Sequence, residues 1–145
     1  MLTEKEVERL IDLMKNFVDR ARIDFPGFGG YLEREATSYN AHDLFLIDVN
    51  RRGKKKPTKC TFQERYGVTD IIFRLDIDGP PHDNPDGVEV ICPHLHVYRE
   101  GFADKWAFPI DPQQFSDTTN LTKSFREFLA LCKIHDLPEI QASLT

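Results

Sequence analysis

Two imidazoles one residue apart can serve one substrate or one cation. The segment CPHLHVYREG, Cys92 to Gly101, offers such a pair in His94 and His96. Tyr98, Arg99 and Glu100 follow directly. Histidine changes charge near neutral pH, so two of them can supply a base and an acid without a metal. An HxH pair on a strand can also hold a divalent cation, with a carboxylate as third ligand. The same residues can be the polar face of an ordinary strand, or a surface that binds another protein. The neighbouring residues bear on all three readings.

Side chains on a strand alternate between faces. In ICPHLHVYR, Ile91, Pro93, Leu95 and Val97 fall on one side, and Cys92, His94, His96 and Tyr98 on the other. In TDIIFRLDID, Phe73, Leu75 and Ile77 oppose Arg74, Asp76 and Asp78. If these strands pair as a long-looped hairpin, the two polar sets share a face, and the loop GPPHDNPDG brings His82 and Asp83 nearby. A slip of one residue would expose an apolar set, so the register is constrained. In the acid–base reading, one of His94 and His96 is the base and the other the acid. Arg74 or Arg99 holds a phosphate, Tyr98 donates a hydrogen bond or stacks on a base, and Asp76 orients an imidazole. In the metal reading His94 and His96 are the ligands. HLHVYRE has the HxHxxxE spacing of cupin metal sites, but the second histidine motif of that pattern is absent and Glu100 stands at a glycine turn.

Charge is unevenly spread. The net charge is −5, yet residues 51–66 carry seven basic side chains against one acidic one. Arg51, Arg52, Lys54, Lys55, Lys56 and Lys59 form this island, in a segment that reads as a hairpin tip. An acidic surface disfavours loose binding to nucleic acid. A single basic loop can still follow a phosphate backbone, or seat against an acidic protein.

The elements that must position these residues are legible in outline. Thr3 and Glu6 have capping-box spacing, and the apolar series Val7, Leu10, Ile11, Met14, Phe17, Val18 and Ala21 predicts one long helix. Strands are predicted in HDLFLIDVN, TKCTFQERY, TDIIFRLDID, VEVICPHLHVYR and DKWAFPI. In NLTKSFREFLALCKI, Leu121, Phe125, Phe128, Leu129 and Cys132 make one helical stripe. The expected fold is α+β: an antiparallel meander of about five strands, one face covered by an N-terminal and a C-terminal helix, the other open. All 145 residues are read as one domain.

No apolar run approaches the roughly 20 residues of a membrane span. The N-terminal segment is acidic and amphipathic, unlike a signal peptide. A cytoplasmic protein without membrane contact is expected. Cys60, Cys92 and Cys132 are widely spaced with no CxxC, which argues for reduced thiols rather than disulfides or a cysteine zinc site.

The runs RLDIDGPPHDNPDG and CPHLHVYREGFADKWAFP resemble a family of small proteins from bacteria and their prophages or other mobile elements, with the pattern DGPPHxNPDG…PHLHxYREGxxDKWAxP. The resemblance covers roughly residues 40–110. It implies a toxin, antitoxin, defence or anti-defence context and no particular activity. The leading expectation is therefore a toxin-type small ribonuclease that uses histidine acid–base chemistry and no cofactor. Its partner would be RNA, or a protein of a defence or toxin system. The alternatives are a non-enzymatic protein-binding inhibitor, whose acidic surface could fill a basic channel, and an HxH enzyme dependent on a divalent metal.

Overall fold

The computed structural model describes residues 1–53 and 55–142. Helix α1, Glu4–Asp12, starts at the expected capping box: Thr3 Oγ1 accepts from the Glu6 N–H and the Glu6 carboxylate accepts from the Thr3 N–H. It does not continue to Ala21. Leu13 turns extended, and strand β1 occupies Lys15–Phe17. Here a period of two wins over the helical period, because Lys15 and Phe17 both point inward while Met14 and Val18 are left exposed.

The strands that follow are β2 (Ile23–Asp24), β3 (Tyr31–Ser38), β4 (Leu44–Asn50), β5 (Cys60–Tyr66) and β6 (Asp70–Ile77). Beyond them lie β7 (His82–Asp83), β8 (Glu89–Val90), β9 (His94–Val97) and β10 (Ala107–Pro109). Helix α2, Leu121–Leu131, and β11, Ile140–Gln141, complete the chain. The main sheet has seven strands in the order β1-β3-β4-β5-β6-β9-β10, every pair antiparallel. It exceeds the expected five because β1 and β3 join it. The rest is a meander from β3 to β6, extended by β9 and β10. Two small pairs lie outside it: β2 with β11, parallel, and the hairpin β7–β8.

The core is built on the faces that alternation predicts. Phe62, Phe73, Leu75 and Ile77 are buried, and Leu95 packs against them. Helix α2 is capped by Asn120, whose side chain accepts from the Lys123 N–H. Its Phe125 and Phe128 rings lie 5.5 and 5.7 Å from the Phe62 ring. Such ring pairs add about 1 kcal/mol each beyond the area they bury. Val7 and Leu10 of α1 belong to the same core.

Two irregularities matter later. Glu64 pairs with Phe73 but Arg65 with Ile71, so Ile72 is an extra residue in β6 and the alternation breaks there. On the core side Lys15 and Glu64 are both fully buried, Nζ 3.5 Å from Oε2. Lys15 gives its hydrogen bonds to the carbonyls of Leu13 and Cys132. Burial pushes the Glu64 carboxyl up to about 7, against the pull of the Lys15 charge. Among the described residues, no helix is long and apolar enough to cross a membrane.

Candidate functional site

Strand β9 pairs with β6 so that His96 faces Arg74 and His94 faces Asp76, the arrangement expected from alternation. On its other side β9 pairs with β10, His96 opposite Ala107. The expectation of an open face is overturned. His94 is 2% exposed and His96 is 0% exposed. The β7–β8 hairpin folds back over them, bringing the His82 ring 4.6 Å from that of His96 and 6.0 Å from that of His94. Asn84 fastens the hairpin to the sheet edge: its Nδ2 donates to the Ala107 carbonyl at 2.9 Å, and its Oδ1 accepts from the Ala107 N–H at 2.8 Å. A His82 ring nitrogen adds a 2.7 Å bond to the Lys105 carbonyl.

Asp76 is the hub. Its Oδ2 lies 3.2 Å from His94 Nε2, 3.1 Å from His96 Nε2 and 3.4 Å from Arg74 Nε. Its Oδ1 accepts from the Thr61 hydroxyl. Partial burial alone would raise this carboxyl. The His96 hydrogen bond, the Arg74 charge and the Thr61 hydroxyl outweigh burial and hold it well below the usual range.

Partner chemistry constrains the tautomers. His96 Nδ1 lies 2.8 Å from the Asp104 carbonyl, which only accepts, so Nδ1 carries hydrogen. His96 Nε2 faces both a donor, Arg74 Nη2 at 3.0 Å, and an acceptor, Asp76 Oδ2 at 3.1 Å. Arg74 Nη1 donates to Asp104 Oδ2 at 2.9 Å. His94 Nε2 donates to the Asp76 carboxylate, which leaves Nδ1 as an acceptor, 3.6 Å from the Cys92 thiol. The Cys92 thiol is pushed up, chiefly by burial, although the Gly79 and His94 N–H groups pull the other way.

A pocket of roughly 250 Å³ opens beside the hub. Lys59, Thr61, Arg74, Asp76, His82, Cys92 and His94 line it, together with Gly79 and Pro80. A second groove holds Lys55, Lys56 and Asp78 and shares Lys59, Gly79 and Pro80 with the first. The basic tip therefore runs into the imidazole pocket.

Not every sequence candidate reaches this place. The Tyr98 hydroxyl accepts from the Leu2 N–H at 3.1 Å and the side chain lies in the core; the bulge at Ile72, whose carbonyl accepts from the Tyr98 N–H, breaks the alternation that assigned it to the histidine face. Arg99 is exposed, its guanidinium 4.5 Å from the Trp106 ring, outside the pocket lining. Arg51 is buried and donates to the Pro26 and Pro57 carbonyls, so it ties loops together rather than facing a ligand. Arg52 stacks on Tyr31 at 4.1 Å. Lys54 lies outside the described residues. In the other direction, Cys92 enters the pocket although its alternation with His94 was already readable, because a single thiol without a CxxC carries no signal of its own. His82 enters because its loop folds back, which only the proximity of the two strand ends hinted at.

A family model described as a family of unknown function, DUF6978, matches residues 2–134. No curated protein and no solved structure matches the chain.

Proposed function

The chain belongs to the DUF6978 family, and from its site we propose that it cleaves RNA by histidine acid–base catalysis, as a small ribonuclease of the toxin type, of bacterial or prophage origin. The observation that carries this reading is the shared Lys59. It joins a pocket with two imidazoles and a guanidinium to a groove of further lysines. Phosphodiester cleavage needs that combination: cations on the non-bridging oxygens, and a base and an acid on either side of the phosphorus.

The pocket favours His94 and His82 as the pair over His94 and His96. His94 Nδ1 takes the proton of a ribose 2′-hydroxyl. The 2′-oxygen attacks phosphorus, and protonated His82 gives its proton to the departing 5′-oxygen. Asp76 keeps Nε2–H of His94 in place and stabilises the imidazolium that forms. His96, sealed from the pocket, acts as a positioning residue through Asp76 and Arg74. Arg74 and Lys59 meet the phosphate charge, and Lys55 and Lys56 follow the adjoining backbone.

The test is cleavage of a fluorescent RNA by the full chain, with and without EDTA, beside a strand bearing 2′-deoxyribose. Cleavage of RNA only, undiminished by EDTA and reduced at least a hundredfold in His94→Gln, is expected. Full activity in His94→Gln, or cleavage of the deoxy strand, overturns the mechanism. No turnover together with stable capture of one protein would favour the inhibitor reading instead.

A further inference from the structure

The three atoms at the hub have a second capability, separate from RNA cleavage. His94 Nε2, His96 Nε2 and Asp76 Oδ2 converge within 4.8 Å of one another. Two of the separations are 3.1 and 3.2 Å. Ligand atoms about 2.0–2.2 Å from one tetrahedral or octahedral ion stand roughly 3–3.5 Å apart, so little movement is needed to close on a cation. Both imidazoles are buried, and their orientation is already set. The Asp104 carbonyl fixes Nδ1–H of His96 and aims Nε2 inward, which is what outer partners of metal-bound histidines do. Thr61 occupies Oδ1 of Asp76 and leaves Oδ2 for the ion.

One cation already sits there. The Arg74 guanidinium lies 3.0 Å from His96 Nε2 and 3.4 Å from Asp76 Oδ2, and it has a second anchor on Asp104 at 2.9 Å. A metal ion and this resting position of Arg74 exclude each other by space and by charge. Asp104 can hold the guanidinium when it leaves.

We infer that Asp76, His94 and His96 form a binding site for a divalent transition-metal ion of the Zn²⁺ class, taken in competition with the Arg74 guanidinium. Imidazole and carboxylate ligands suit such an ion. Binding places His94 in its Nδ1–H tautomer, with that hydrogen toward the Cys92 sulfur, so the lone pair that serves as base is lost. Metal occupancy is therefore an off state for the proposed cleavage.

The experiment is calorimetric titration of the chelator-treated full chain with Zn²⁺, repeated with Co²⁺ to read imidazole ligation from visible absorption. One ion per chain is expected. Asp76→Asn and His94→Gln should each weaken binding at least tenfold, and Arg74→Gln should tighten it several-fold. Asp76 and Arg74 are partly exposed, so their variants keep the test open if a buried histidine variant fails to fold. Absence of saturable binding, equal affinity in Asp76→Asn, or weaker binding in Arg74→Gln overturns the site. None of these readouts uses RNA, so loss of the cleavage reading leaves this test intact.

Discussion

Arg51 and Lys59 flank the same hairpin tip and do opposite work. Arg51 is buried and bonded to two carbonyls from different loops, Pro26 and Pro57, both at 2.8 Å. Lys59 lines both pockets. Arg51→Ala should cost about 3 kcal/mol of stability, through two charge-assisted hydrogen bonds and lost packing, and leave RNA affinity unchanged per folded molecule. Lys59→Ala should leave stability within about 0.5 kcal/mol and raise the KM for RNA. Urea unfolding paired with a binding titration checks both; a stable Arg51→Ala chain with weakened RNA binding would reverse the assignment. At this scale residue type was legible and residue role was not. Arginine and lysine read alike in a basic run, and only the carbonyls that surround Arg51 separate them. The same limit applies to Tyr98: its face depended on one extra residue in β6, which leaves no mark in composition.

At the scale of elements, the Lys15–Glu64 pair links β1 to β5 inside the core. Its sign with pH can be stated. Glu64 ionises at about 7 in the folded chain against an ordinary 4.5. The folded state therefore binds a proton more tightly than the unfolded state across that interval. The stabilisation is complete below the ordinary value and is lost as pH rises to about 7, by up to roughly 3 kcal/mol. Glu64→Gln should flatten stability between pH 5 and 8 by that amount, measured by thermal and chemical unfolding. An unchanged slope would rule out Glu64 as its source. Lys15→Met should instead cost about 3–5 kcal/mol above neutral pH, because it strands a buried carboxylate. The five expected main-sheet strands, β4, β5, β6, β9 and β10, were legible, as was the phenylalanine stripe of α2, although the segment read as one strand, VEVICPHLHVYR, divides into β8 and β9 in separate sheets. Two strands of the main sheet were not. Strand β3 is largely exposed and carries Glu33, Arg34 and Glu35 in a row, since β1 pairs only with its last residues. Strand β1 is hidden by an apolar series that also fits a helix.

Over the whole molecule, an acidic chain with one basic groove should bind RNA weakly and with a shallow salt dependence. Three lysines, Lys55, Lys56 and Lys59, line that groove, and Lys56 is partly engaged by Asp78 at 3.7 Å. With Arg74 of the adjoining pocket they make four phosphate contacts on a single strand, which give a slope of log affinity against log salt of about −3, whereas six would give about −4. A steeper measured slope would return Arg51 and Arg52 to the interface. The α+β class followed from helical and strand periods together, and the pairing of β6 with β9 from alternation. The closure of the histidine face did not, because a proline-rich loop reads the same whether it stands in solvent or folds back over a sheet.

That closure has a consequence at the border of the sheet. An outermost strand with bare N–H and C=O groups is a template on which another chain can add. On β10 the Ala107 groups that point away from β9 are both taken by the side-chain amide of Asn84. One asparagine thus imitates the backbone of a strand that is not there. The same clamp that roofs the histidines also closes the sheet's border at Ala107 to pairing with another chain.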